Sequence, residues 1–131
     1  LTLDAGHRVP GHQGKCRNLH GHTYTVEVTA EGEVPEDGMV LDFGVVKEVM
    51  VEHVGRWDHA FLVWEGDAEV LKALDVDPSW QRIITPWPPT AENLARLAAI
   101  LLYPDLASHG IALVEVRVWE TPNCFATWTM P

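Results

Sequence analysis

The sequence predicts an α+β protein with the element order ββ-α-α-ββ. Three observations carry this reading: alternating apolar and polar runs at both ends of the chain, two runs of helical period between them, and a length of 131 residues, which suits one domain spanning 1–131. The 47% hydrophobic and 21% charged content is that of an ordinary globular chain. No apolar run approaches the roughly 20 residues of a membrane span.

Leu1, Leu3, Ala5 and His7 alternate with Thr2, Asp4, Gly6 and Arg8, which predicts a first strand ended by Pro10 and Gly11. Alternation resumes at residues 20–30, with His20, His22, Tyr24, Val26, Val28 and Ala30 on one face. The two strands are close in sequence, and an antiparallel hairpin sets His7 opposite His20 and His22. A polar turn over 31–38 leads to Met39-Val40-Leu41-Asp42-Phe43, and helical spacing then predicts a helix over about 44–56. Residues 65–89 are the least regular, with a short helix near 68–74. Thr90 is a good N-cap, Glu92 favours the positive end of a helix dipole, and Leu94, Leu97, Ala98, Leu101 and Leu102 form a stripe that predicts a second helix ending before Pro104. From Ile111 to Thr121 alternation returns, placing Ala112, Val114, Val116, Val118 and Glu120 on one face, and Cys124–Thr129 supplies a last strand.

A formal charge of −10 argues against nucleic acid and anionic membrane surfaces as partners. The charge is uneven: Arg8, Lys15 and Arg17 fall within the first 22 positions, where the only acid is Asp4. Such a neighbourhood suits a small phosphorylated ligand. No basic and apolar leader pattern is visible at the start, so the expectation is a cytoplasmic protein whose two cysteines, Cys16 and Cys124, are reduced thiols.

The chemistry concentrates in Cys16-Arg17-Asn18-Leu19-His20-Gly21-His22. Side chains at i and i+2 of a strand point the same way, with Cα atoms ~6.5–7 Å apart, so His20 and His22 can converge on one metal ion with His7 as third ligand. Three neutral imidazoles leave Zn²⁺ its full charge and an open position, as in catalytic zinc sites. Two plainer readings stand beside this: a closed structural site with Cys16 as fourth ligand, and histidines that are merely hydrogen-bonded. Lys15 and Arg17 flank Cys16, and nearby cations favour a thiolate, although a lone cysteine is commonly a small buried apolar residue. Asp58-His59 can act as an acid-imidazole pair only in a turn or at a helix end, because neighbours on a strand point apart. Glu120 ends an apolar face, where it is a ligand acceptor or a salt-bridged strand end. Cys124, His12, His53 and His109 have no partner pattern and read as structural or surface residues.

Taken in order, Ala5-Gly6-His7-Arg8, the Cys16–His22 stretch, Met39–Phe43, Asp58-His59, Pro89-Thr90-Ala91-Glu92-Asn93 and Trp119-Glu120-Thr121 resemble the 6-pyruvoyltetrahydropterin synthase family over nearly the whole chain. The four-residue step from Cys16 to His20 is most similar to the bacterial 6-carboxytetrahydropterin synthases of queuosine and 7-deazaguanine biosynthesis. The resemblance implies the tunnelling fold (T-fold), an antiparallel four-stranded sheet with two helices on one face. It also implies a homo-oligomer, often a hexamer of two trimers, with active sites between subunits. The implied substrate is 7,8-dihydroneopterin triphosphate, and the implied products are 6-carboxy-5,6,7,8-tetrahydropterin, acetaldehyde and triphosphate.

By the same resemblance, His7, His20 and His22 match the zinc ligands, Cys16 the proton-abstracting thiolate, and Asp58 and His59 the relay for the other proton. Glu120 matches the carboxylate that grips the pterin's 2-amino and ring N–H groups. Thr90, in the PT-x-E motif, is a substrate-side residue that first serves helix capping. Arg8, Lys15 and Arg17 are candidate triphosphate contacts. The chain departs from the family at Trp57, at Leu62-Val63 and at Ala5-Gly6, where Ala-Ala is commoner; these changes touch packing. Formation of the pyruvoyl product and a non-catalytic zinc-stabilised pterin-binding module are the competing readings.

Overall fold

The computed structural model describes residues 1–131. Its elements are β1 (Thr2–His7), β2 (His20–Glu31), α1 (Phe43–His53), β3 (Ala60–Trp64), α2 (Ala68–Leu74), β4 (Arg82–Thr85), α3 (Ala91–Ser108), β5 (Ala112–Thr121) and β6 (Cys124–Thr129). They form one mixed sheet of six strands in the order β4-β3-β1-β2-β5-β6. The expected antiparallel set is intact and contiguous as β1-β2-β5-β6, but the expectation of four strands is corrected: β3 joins β1 in parallel, and β4 joins β3 in parallel. β3 escapes a periodicity argument because it is covered on both sides, with Ala60, Leu62 and Val63 all buried. A strand buried on both faces reads as a short continuous apolar run rather than as alternation. The link between β3 and β4 contains α2, as a parallel connection requires.

Helices α1 and α3 pack on one face of the sheet, where Leu3, Tyr24, Val26 and Val118 meet Met50 and Leu102 in a single core. Asp42 caps α1 by accepting the Gly44 N–H at 2.7 Å, and the helix ends at His53, short of the expected 56. A tight turn at Gly55–Trp57 follows and buries Trp57. Thr90 caps α3 through the Asn93 N–H at 3.3 Å. This helix runs through Pro104 to Ser108, a correction to the expected stop. The proline leaves the Ile100 carbonyl without its helical donor, but Ile100 is half exposed, and the fully buried Leu106 anchors the last turn. Gly110, at φ 72°, then ends the helix in the left-handed conformation while the Ile111 N–H donates back to Leu106.

One register shift corrects the expected buried face of β5. Thr29 faces Glu115 but Ala30 faces Leu113, so Val114 is an extra residue in the ladder. The buried phase passes from Val116 to Leu113 and Ile111, leaving Ala112 exposed.

Candidate metal centre and active site

The β1–β2 register pairs His7 with His20 and Ala5 with His22, so the three imidazoles project from the core-facing side of the sheet. Gly21 permits this approach: a Cβ there would lie 2.8 Å from the Ala5 carbonyl oxygen. At Gly6 the Phe61 ring occupies the space a Cβ would need, 2.7 Å away.

The three imidazoles offer ligand atoms that lie within 4.8 Å of one another. His7 Nδ1 donates to the Pro89 carbonyl at 2.7 Å, and His20 Nδ1 donates to the Asn18 carbonyl at 2.7 Å. A carbonyl can only accept, so both rings carry their proton on Nδ1 and present a bare Nε2. Those two Nε2 atoms are 3.0 Å apart. Lone pairs so placed repel unless a cation sits between them, and carbonyl-oriented imidazoles are the usual outer support of a metal-binding histidine. Burial, reinforced by charge repulsion from His20 and His22 and partly offset by the Pro89 bond, lowers the His7 pKa to about 4. His22 is lowered by burial and by His20. Both shifts favour the neutral, metal-binding form of His7 and His22, and the three-imidazole set fits Zn²⁺.

Glu120 closes one side of this cluster, with Oε1 3.9 Å from His7 Nε2. A second ladder irregularity places it there: Trp119 faces Phe125 and Thr121 faces Cys124, so Glu120 is unmatched on β6. Its carboxyl is held above the usual range, first by burial and then by the Glu92 carboxylate, with His20 opposing. The Pro88–Asn93 segment supports the site from α3: Pro89 orients His7, while the Asn93 side-chain amide donates to the Pro88 carbonyl at 2.9 Å. Thr90 is engaged in capping, and the backbone carbonyls of Pro89 and Asn18 are functional groups that side-chain reasoning does not reveal.

Cys16 is half-buried in a tight turn over Lys15–Arg17, and its carbonyl accepts the Val9 N–H at 2.8 Å. Its sulfur does not join the group of mutually close ligand atoms, so the cluster is an open three-histidine set. Asp58 and His59 form the expected pair in a turn: His59 adopts φ 57°, and its Nδ1 lies 2.9 Å from Asp58 Oδ2. The Asp4 N–H donates to Asp58, holding its carboxyl below the usual range together with His59, while Asp58 raises the pKa of His59.

This pair docks on Asp4, whose carboxylate accepts from Thr23 on the solvent face of the sheet, opposite the imidazoles. The fold thus assembles His7, His20, His22 and Glu120 in one place and Asp58-His59 in another. A recess of about 780 Å³ lies beside His59, Phe61 and Trp80 and touches the His20–Thr23 stretch. Arg8 is committed elsewhere, gripping Asp67 through bonds of 2.7 and 2.6 Å and reaching Glu69 at 3.1 Å, so the expectation of a free triphosphate contact is corrected there. Lys15 and Arg17 are exposed and form no ion pair. His53 pairs with Asp105 at 3.2 Å and bridges α1 to α3.

Fold and site together define a mixed-sheet protein carrying a candidate three-histidine metal centre. Solved structures share this fold: an uncharacterised protein of Wolinella succinogenes, with a TM-score of 0.86 at 21% identity, covers 98% of this chain and 94% of its own. The 6-pyruvoyl tetrahydropterin synthase of Caenorhabditis elegans has a TM-score of 0.74 at 26% identity, covering 100% of this chain and 91% of its own. The 6-carboxy-5,6,7,8-tetrahydropterin synthase of Rickettsia bellii is 37% identical over 128 residues, 95% of this chain and 93% of that protein. The family model for 6-pyruvoyl tetrahydropterin synthase matches residues 1–130, and the chain belongs to that family.

Proposed function

We propose that the chain is a zinc-dependent lyase that converts 7,8-dihydroneopterin triphosphate and one water molecule to 6-carboxy-5,6,7,8-tetrahydropterin, acetaldehyde and triphosphate. The observation that carries this reading is the open cluster of His7, His20 and His22, two of whose rings are fixed by backbone carbonyls so that bare Nε2 atoms converge beside Glu120. Relatives named 6-carboxy-5,6,7,8-tetrahydropterin synthase support the carboxy-forming choice.

When bound by the three imidazoles, zinc supplies Lewis acidity to the side-chain oxygens of the substrate. Glu120 anchors the pterin, accepting from its 2-amino and ring N–H edge, and its partial burial strengthens that recognition. Cys16 removes a proton from the substrate side chain. His59, whose pKa Asp58 raises, holds or delivers the other proton. Because Asp58-His59 docks on the Asp4 main chain and makes no contact with the imidazoles, we assign the relay of one subunit to the site of its neighbour, in a homo-oligomer with sites between subunits. Lys15 and Arg17 are the remaining basic contacts for the triphosphate.

Incubating the zinc-loaded protein with dihydroneopterin triphosphate tests the reading: acetaldehyde release is expected. A pterin product formed without acetaldehyde would replace it with pyruvoyl formation.

A further inference from the structure

Tyr24 follows His22 by two residues on β2, so its ring joins the imidazoles on the core-facing side. It packs edge-on against His7 and His22, with centroids 5.8 and 5.4 Å apart, and is 1% exposed. Its hydroxyl is the one buried side-chain polar atom of the chain that has no hydrogen-bond partner. A buried hydroxyl without a partner is destabilising, and phenylalanine would fill the same volume without that cost. Packing alone therefore does not account for a tyrosine here.

The ladder shows which residue stands beside this tyrosine. Thr25 pairs with Trp119, and one further step sets Tyr24 alongside Glu120, whose side chain turns to the same core-facing side to reach His7.

We propose that Tyr24 is the positioning residue for Glu120, its hydroxyl donating to the carboxylate when a planar donor-bearing ligand draws that carboxylate into the site. A carboxylate has about four acceptor sites, enough to take two N–H groups of a heterocycle and one phenol together. The donation sets the carboxylate plane, and with it the angle at which a flat ligand is held. This inference rests on the reading of Glu120 as the ligand's anchor.

The experiment is a double-mutant cycle on the zinc-loaded protein, using neopterin as probe and its fluorescence as the binding signal. Tyr24→Phe is expected to weaken neopterin binding about tenfold, with zinc content unchanged and the melting temperature of the ligand-free protein equal or higher. With dihydroneopterin triphosphate, KM is expected to rise more than kcat falls. In a Glu120→Gln background, adding Tyr24→Phe is expected to cause no further loss. Unchanged neopterin affinity in Tyr24→Phe, or an equal loss in both backgrounds, overturns the coupling. A wild-type protein that binds no pterin overturns the proposed function as well, so the two failures are distinguishable.

Discussion

Replacing His7 in the metal-free protein separates the electrostatics of the cluster from its catalysis. His7 is 1% exposed, and its pKa falls from 6.5 to about 4 on folding. The unfolded chain therefore binds more protons than the native state across that interval, and stability must rise with pH there. The contribution is complete above about pH 6.5 and is lost as the pH drops toward 4. A shift of roughly 2.5 units at 1.36 kcal/mol each corresponds to about 3 kcal/mol. Urea denaturation in the presence of a chelator, repeated from pH 7.5 to 4.5, measures it. Carboxylates such as Asp67 also weaken the fold on acidification, so the comparison is with His7→Gln, which keeps a donor for the Pro89 carbonyl and does not titrate. The wild-type curve is expected to fall more steeply than the variant's below about pH 6.5. Parallel curves would refute a neutral buried His7. Zinc at 100 times its Kd is expected to add about 2.7 kcal/mol to the wild type near neutral pH and much less to the variant.

Other perturbations probe the rest of the structure. Gly21→Ala forces a Cβ to 2.8 Å from a backbone oxygen, and a loss of about 1–3 kcal/mol with weakened zinc binding is expected in thermal melts and metal titrations. Cys16→Ala is expected to retain zinc while turnover drops by about 10²–10⁴; unchanged turnover removes the thiol from the mechanism. Arg8→Ala strands the buried Asp67 carboxylate and is expected to cost about 3 kcal/mol in denaturant titrations while leaving KM for the triphosphate substrate nearly unchanged. Mixing subunits of inactive His20→Ala and His59→Ala variants is expected to restore activity in exchanged oligomers, since some sites then hold both intact halves. No recovery after demonstrated exchange would place relay and metal centre in one subunit.

Local patterns in the chain carried much of this. The i, i+2 spacing of His20 and His22, the N-cap at Thr90, the pairing of Asp58 with His59 in a turn and the last strand at Cys124–Thr129 all depend on neighbours in sequence, and the fold reproduces them. Beyond neighbouring residues the reading weakens. β3 and β4 are too short and too uniformly apolar or mixed for periodicity to register. The buried phase of β5 changes at an extra residue that only its pairing with β2 reveals.

The sequence by itself determined which residue types are available for the chemistry and which of them share a strand face, because side-chain direction along a strand alternates with position. Tertiary structure decided what each of those groups meets. Arg8 is neutralised by an aspartate 59 positions away, and His7 is oriented by a carbonyl 82 positions away. Whether a charge is free, or which nitrogen of a ring is bare, depends on where the backbone returns in space. The same holds for Asp58-His59: the sequence supplies an acid-imidazole pair, but strand pairing sets it against the Asp4 main chain, apart from the imidazoles, and it is proposed to serve those of a neighbouring subunit.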